Sequence, residues 1–177
     1  NAKKELTHLI AELSAQMSAI FTERFAGINR HFGEIFRELF GGGHAELRLT
    51  DATDPLETGI EIIVQPPGKI IKNLSALSGG EQAFVAICIY FAILRVNPAP
   101  FVLIDEIEAA LDDVNVAKFA AYLHKMTDHT QFISITHRRG TMEQGDVLYG
   151  VTMEEEGISK LLRLDLNQME EYLGIGE

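Results

Sequence analysis

Apolar residues in the first part of the chain recur with helical spacing. A first seam comprises Leu6, Ile10, Leu13, Met17 and Ile20, and a second seam, shifted by one residue, comprises Phe21, Phe25, Ile28, Phe32, Ile35 and Leu39. Steps of three and four predict a helix with one apolar face, and over so few turns they fit either a coiled coil or an ordinary amphipathic helix. The three consecutive glycines at 41–43 predict its end.

The pattern then changes to that of two short strands. Leu47 and Leu49 alternate with polar residues, and a second β-rich run covers residues 60–64. An Asp-Pro step between the two runs favours a turn, and two prolines and a glycine follow the second run. We therefore predict an antiparallel strand pair.

Beyond Leu77, helical and strand patterns alternate, which is typical of a parallel sheet covered by helices. Ser78 lies three residues before Glu81, the spacing of a capping box, and predicts a helix that ends near Arg95. The segments that follow are a wholly apolar strand at 101–104, expected to be buried on both faces, a helix at 116–126, a strand at 132–135, a short glycine-containing segment, and strands near 147–153 and 158–164. The predicted fold class is α/β, with a parallel sheet flanked by helices and additional antiparallel strands.

Composition and charge narrow the classes of function. Lys and Arg number 15 against 26 Asp and Glu, a net charge of −11 that argues against a broad nucleic-acid-binding surface. The only cysteine, Cys88, excludes an internal disulfide and favours a reducing cytoplasm. It lies in an apolar run of about 12 residues at 83–94, shorter than the roughly 20 of a membrane-spanning helix, and we expect no membrane segment. The chain begins at Asn1 rather than Met, which suggests a piece of a longer protein.

Two adjacent carboxylates follow the apolar strand at 101–104. Asp105 and Glu106 would lie at the C-terminal end of a buried strand, where open α/β sheets bind their ligands. Asp105 could hold a Mg²⁺ ion, and Glu106 could polarise a water for attack on a γ-phosphate. Taken alone, the same residues could be the solvated end of an ordinary strand.

A serine and two glycines stand at the predicted start of the helix that ends near Arg95. Ser78, Gly79 and Gly80 would offer free backbone N–H groups and the positive end of the helix dipole to an anion such as a phosphate. Together with Glu81, the same residues also fit a capped helix without any ligand.

Two further residues stand at suggestive positions. Asp112 follows an Ala-Ala-Leu run shortly after the acidic pair, and His137 follows the strand at 132–135. A histidine there can donate a hydrogen bond to a terminal phosphate and so respond to its presence, although an isolated one could equally be an ordinary surface histidine. The remaining histidines show no ligand spacing, so we expect no histidine metal site.

The order of these four elements resembles the second half of an ATP-binding-cassette ATPase: a signature loop, an apolar strand ending in Asp-Glu, an Ala-Leu-Asp loop and a switch histidine. Several longer stretches are similar to the C-terminal head lobe of bacterial structural-maintenance-of-chromosomes (SMC) proteins, namely residues 29–32, 36–43, 64–69, 73–82, 105–112 and 136–142. The resemblance covers nearly the whole chain.

The resemblance implies a head built of two lobes from opposite ends of a long chain. Residues 1–40 would be the coiled-coil base helix and the entry into the head, and residues 41–177 would be the C-terminal ATPase head lobe. The phosphate-binding loop would belong to the N-terminal lobe, and no Gly-x-x-x-x-Gly-Lys-Ser/Thr pattern occurs in this sequence. Activity would therefore need a complementary lobe.

The resemblance also divides the candidate residues between two ATP molecules. Asp105 as the Mg²⁺ ligand, with Glu106 and His137 as catalytic residues, would act on the ATP of their own head. The signature residues Ser78, Gly79, Gly80 and Glu81 would close on ATP bound to a second head, with Asp112 at the interface between heads. Gln82 stands where many relatives have arginine, which makes a direct anion-binding role for that position doubtful.

The implied function is ATP hydrolysis between two engaged heads, which drives chromosome condensation and segregation. The expected partners are the N-terminal lobe, a second SMC head in a homodimer, a kleisin subunit near the strands after Val147 and the tail at 166–173, and DNA through the full complex. The expected place is the cytoplasm, at the nucleoid. The alternatives are the head lobe of another coiled-coil DNA-repair ATPase, a more distant transport ATPase, and a mainly structural kleisin-binding module.

Overall fold

The computed structural model describes residues 2–69, 71, 73–155 and 157–166. Within it the chain forms two compact units, Asn1–Phe101 and Val102–Glu177. The elements of the first unit are α1 (Ala2–Phe40), β1 (His44–Leu49), β2 (Ile60–Gln65), a 3₁₀ turn (Leu74–Ala76) and α2 (Gly79–Val96). Those that follow are β3 (Phe101–Asp105), α3 (Asp113–Lys125), β4 (Gln131–Ile135), α4 (Arg139–Met142), β5 (Val147–Glu155) and β6 (Ile158–Asp165).

Helix α1 is continuous and changes character along its length. The residues of the first predicted seam are all exposed, at 56–60% of their surface: Leu6, Ile10, Leu13, Met17 and Ile20. In the last turns, by contrast, Phe32, Ile35, Phe36 and Leu39 are buried. The predicted long helix is confirmed. Its N-terminal part presents an exposed apolar stripe, as a helix of a coiled coil does, and its C-terminal part belongs to a packed core.

The predicted antiparallel pair is also confirmed, with β1 and β2 in register from His44 opposite Gln65 to Leu49 opposite Ile60. Ala45, Leu47 and Val64 turn into the core, whereas Glu46 and Arg48 alternate outwards. The side chain of Asn29 on α1 accepts a hydrogen bond of 2.7 Å from the backbone N–H of Leu47. This bond fastens an edge of the strand pair to the helix.

Glycine is required where the chain turns from α1 into β1. Gly43 has a φ of +86°, and a Cβ added to it would lie 2.3 Å from the carbonyl oxygen of Gln65. Gly41 also has positive φ, at +74°, but an added Cβ would meet nothing within 4 Å. Gly41 and Gly43 therefore both need a left-handed backbone, but only at Gly43 would a side chain clash with a neighbouring atom.

We expect Gly43→Ala to destabilise the first unit by about 3 kcal/mol or more, because left-handed strain and a backbone clash add together. The control Gly41→Ala should cost only about 1–2 kcal/mol, the left-handed strain alone. Urea unfolding of both variants measures the difference. Equal losses would show that the contact with Gln65 relaxes at no cost.

Helix α2 packs against α1 in the first unit. Its buried face consists of Phe84, Val85, Ile87, Cys88, Phe91, Ala92 and Leu94. The buried thiol of Cys88 has its pKa raised to about 12 by desolvation, which agrees with a core-filling role. Phe84 packs against Phe40 at the end of α1, with ring centroids 5.1 Å apart.

The helix predicted from Ser78 to near Arg95 is confirmed, since α2 covers Gly79–Val96. It has 18 residues, more than the roughly 12 of its apolar run, and by length and composition alone it could cross a membrane. The buried face of α2 packs in the core of the first unit instead, and the Arg24 guanidinium donates a 3.0 Å bond to the last helical carbonyl, that of Val96. Core helices of water-soluble proteins pass the same composition test.

The second unit contains the parallel pair β3 and β4, joined through α3. Val102 and Ile104 are buried, but Leu103 is 61% exposed, so the expectation that the strand is buried on both faces was wrong. Ile133 and Ile135 on β4 are likewise about half exposed. A run of four apolar residues is typical of a strand that is covered on both faces. The run does not show that residues of the same chain form both covering layers.

The chain ends, within the described residues, in the antiparallel hairpin of β5 and β6. Both strands were predicted, and both extend slightly further than expected. Many of its apolar side chains are exposed, namely Tyr149, Val151, Met153, Ile158, Leu161, Leu162 and Leu164. Of the tail at 166–173 that was expected to contact a kleisin, only Leu166 lies within the described residues.

Candidate nucleotide-binding and catalytic site

Glu106 occupies a strained position directly after β3. Its φ is +47°, the only positive value at a described residue other than glycine. The backbone is held there from both sides: the Glu106 N–H donates to the carbonyl of Ile135 at 3.0 Å, and the Glu106 carbonyl accepts from the N–H of Ala109 at 3.0 Å. A bulky residue kept in the left-handed region by such bonds is typical of functional sites.

The structure brings Glu106 and His137 together, although 31 positions separate them. Because β3 and β4 are parallel neighbours, their C-terminal ends lie at the same edge of the pair, and each residue follows one of these ends. The imidazole Nδ1 lies 3.2 Å from Oε1 of Glu106, and both side chains are more than half exposed. A proton acceptor and a hydrogen-bond donor are thus adjacent and open to a ligand.

Asp105 is the last residue of β3 and is exposed to solvent. In the described part of the chain, no three His, Cys, Asp or Glu side chains form a group able to hold a metal ion. A lone exposed carboxylate fits Mg²⁺, which usually keeps several waters and takes one or two protein carboxylates together with substrate phosphates. It does not fit a structural metal with a full protein cage.

Asp112 has a clear local role as the N-cap of α3. Its carboxylate accepts the backbone N–H of Asn115 at 2.9 Å and the side-chain amide of the same residue at 3.1 Å. The helix consequently begins at Asp113, three residues earlier than predicted. The Arg138 guanidinium, next to His137, donates to the carbonyl of Leu111 and to the carboxylate of Asp113, both at 2.9 Å.

The sequence interpretation missed Glu108. This side chain is fully buried, and its Oε1 accepts the hydroxyl groups of Thr136 and Thr141, the latter at 3.1 Å. The one available signal was a third acidic residue in the Asp-Glu-Ile-Glu run. The fourth helix, α4, was missed as well, because its four residues are too few for a periodic pattern.

The predicted signature loop, residues 78–81, lies in the first unit, where Ser78 caps α2 as predicted. Oε2 of Glu81 accepts the Ser78 backbone N–H at 3.0 Å and the Ser78 hydroxyl at 2.9 Å, while the Glu81 N–H donates to the Ser78 hydroxyl oxygen. Gly79 and Gly80 form the first turn of the helix, and a Cβ at Gly79 would meet no atom within 4 Å. Open space therefore adjoins the free N–H groups of the helix N-terminus.

Glu81 has an additional partner in Lys69, whose ammonium lies 2.6 Å from its Oε1. The hydrogen bond from Lys69, followed by that from the Ser78 N–H, lowers the pKa of the Glu81 carboxyl. Because this pKa is lower in the folded state than in the unfolded chain, the ionised cap stabilises the fold at neutral pH. That contribution is lost as the pH falls through the acid range.

Gln82 holds the segment that precedes Ser78 through its side-chain amide. Its side-chain amide donates to the carbonyl of Leu77 at 3.1 Å and to that of Leu74 at 3.3 Å. With its donor occupied by the backbone, Gln82 ties down the segment that precedes the signature serine.

Comparison with known proteins supplies the family. Residues 2–160 match the RecF/RecN/SMC N terminal domain family. The chain is 54% identical over 172 residues to the chromosome partition protein Smc of Bacillus subtilis (strain 168), and 58% identical over 165 residues to that of Desulfitobacterium hafniense (strain Y51). These alignments cover 97% and 93% of this chain but only 14% of each relative.

Solved structures agree with the sequence relatives. One solved structure comes from work on ATP-driven dimerization and DNA-stimulated activation of SMC ATPases. It is 40% identical to this chain with a TM-score of 0.76, and the alignment covers 89% of this chain and 96% of that one. Another is the Smc head domain with an extended coiled coil, bound to the C-terminal domain of ScpA and derived from Pyrococcus furiosus. It is 39% identical with a TM-score of 0.85, and the alignment covers 98% of this chain and 43% of that one. The chain therefore belongs to the RecF/RecN/SMC family and is a fragment of an SMC head.

Proposed function

We propose that this chain is the C-terminal lobe of an SMC ATPase head, which hydrolyses ATP together with an N-terminal lobe and drives chromosome condensation and segregation. The observation that carries the proposal is the approach of Glu106 and His137, 3.2 Å apart at the adjoining ends of β3 and β4. Family membership adds the ATPase context, because a similar solved chain is an SMC ATPase.

The chemistry of the site follows from its donors and acceptors. The Glu106 carboxylate accepts a hydrogen bond from the attacking water and orients it towards the γ-phosphate. His137 donates a hydrogen bond to that phosphate and stabilises the negative charge that develops there. Asp105 would hold Mg²⁺, which when bound neutralises phosphate charge.

The signature loop serves a different nucleotide. Ser78, Gly79 and Gly80 bind the phosphates of ATP held by a second head, through the helix N-terminus and the serine hydroxyl. Glu81 does not contact the phosphates itself, because its carboxylate would repel them. Its role is to hold Ser78 in place through hydrogen bonds. Asp112 stands at the interface between heads, so a homodimer of heads completes two ATP sites.

Further partners follow from the exposed surfaces and from the relatives. A kleisin subunit binds at the β5–β6 hairpin, which exposes Tyr149, Val151 and Leu161, and the similar Pyrococcus furiosus head is bound to the C-terminal domain of ScpA. DNA is engaged through the full complex, since the chain's charge of −11 does not suit a broad DNA surface. The complex acts in the cytoplasm, at the nucleoid.

The proposal is tested by combining this chain with the N-terminal lobe of its own parent protein. Neither lobe alone should hydrolyse ATP, and the mixture should do so in a Mg²⁺-dependent manner. The second candidate, a mainly structural kleisin-binding module, is favoured by the exposed hairpin. It would be supported if the mixture captured the kleisin but never hydrolysed ATP.

A further inference from the structure

A fully buried carboxylate links the acidic loop to the residue that precedes His137. Glu108 has no exposed surface, and its Oε1 accepts hydrogen bonds from the hydroxyls of Thr136 and Thr141, while its Oε2 has no hydrogen-bond partner among the described residues. Burying a carboxylate is costly unless its oxygens are well satisfied, and two neutral hydroxyls on one oxygen compensate only in part. A residue that merely filled this space would not need to be a glutamate.

The hydroxyl of Thr136 makes two bonds at once. It donates to Glu108, and its oxygen accepts the backbone N–H of Arg138 at 3.0 Å, so it closes a turn that carries His137 at its centre. A carboxylate can only accept, and a hydroxyl has one hydrogen. The Thr136 hydroxyl hydrogen is therefore donated to Glu108, and a lone pair of the hydroxyl oxygen accepts the N–H of Arg138. These two bonds fix the direction of the turn.

We propose that Glu108 is a positioning residue for ATP hydrolysis: through Thr136 it holds the turn that sets His137 against Glu106. Glu108 follows Glu106 by two positions, and its backbone carbonyl accepts the N–H of Leu111 at 2.9 Å. Its carboxylate accepts the hydroxyl of Thr136. Glu108 therefore connects the loop that bears one catalytic group to the turn that bears the other. This inference rests on the proposed function of the Glu106 and His137 pair.

Thr141 provides a matched control for Thr136. Both hydroxyls donate to the same oxygen of Glu108, and valine replaces either threonine at nearly equal volume. Of the two hydroxyls, that of Thr136 also accepts the backbone N–H of Arg138, and Thr136 directly precedes His137. Thr141 bonds Arg138 through its backbone N–H, which valine keeps. In the complete head with both lobes, Thr136→Val should lower kcat roughly 10- to 100-fold by misplacing a catalytic group. The KM for ATP should change less than about threefold, because the other lobe holds most of the nucleotide.

Thr141→Val should lose a similar amount of thermal stability and keep kcat within about threefold of the unmodified head. Thr136→Ser, which keeps the hydroxyl, should recover most of the activity. Equal loss of kcat in the two valine variants, an unchanged kcat in Thr136→Val, or failure of serine to recover activity would overturn the positioning role. Full activity of a Glu106→Gln head would instead refute the proposed function, so the two failures are distinguishable.

Discussion

A complete head in which Glu106 is replaced by glutamine should hydrolyse ATP roughly 10²- to 10⁴-fold more slowly than the unmodified head. Glutamine has the same shape and leaves the backbone bonds of residue 106 to Ile135 and Ala109 in place. It can still accept a hydrogen bond, but its neutral amide is a far weaker base than a carboxylate. The loss should therefore fall on kcat, with ATP binding retained.

The measurement is steady-state ATP turnover together with ATP-dependent association of the heads. Because the chemical step is blocked and binding is not, heads bearing Glu106→Gln should stay associated longer after ATP is added. Glu143→Gln is a suitable control, since Glu143 is an exposed glutamate of the same unit that pairs only with Arg139 in the described structure. Turnover that survives in Glu106→Gln would show that another group activates the water.

Features set by residues close in sequence could be predicted from sequence. Ser78 and Glu81 are three positions apart, so the pattern itself contains both halves of the capping box that the structure shows. The glycines at 41–43 likewise mark the end of α1, because positive φ is a local demand. Asp112 offered the same kind of signal as an N-cap, which was overlooked in favour of a role between heads.

Features set by distant residues could not be predicted in this way. The partners of Glu108 lie 28 and 33 positions along the chain, so nothing near Glu108 reveals that it is buried and hydrogen-bonded. The left-handed backbone of Glu106 depends on a bond to Ile135 at the end of another strand. Residue type argues against such a conformation, since glutamate rarely adopts it.

The wrong expectation that strand β3 is buried on both faces has a different cause. Its apolar residues 101–104 do predict a strand made for two covering layers, and the buried side chains of Val102 and Ile104 confirm one of them. The exposed side chain of Leu103 shows that the described residues do not cover the other face. Periodicity reports how many faces of a strand avoid water in the complete protein, and it cannot report which chain or lobe covers each face.

The proposed division of each ATP site between two heads makes a prediction that a single-head mechanism does not make. Gly79→Asp should abolish ATP-driven engagement, because it adds bulk and negative charge where the partner's phosphates are proposed to bind. The open space around Gly79 and the favourable effect of an acid at a helix N-terminus should leave folding intact. Heads with Gly79→Asp alone, or with Glu106→Gln alone, should each be nearly inactive.

Mixing the two inactive heads should restore part of the activity. In a mixed pair, the ATP on the Gly79→Asp head meets that head's own Glu106 and the intact signature loop of its partner, whereas the other ATP site carries both defects. One working site per mixed pair follows only if Glu106 and Gly79 act on different nucleotides. If both residues served the same ATP, each site of the mixed pair would carry one defect, and ATP turnover of the mixture would stay at the level of the separate variants.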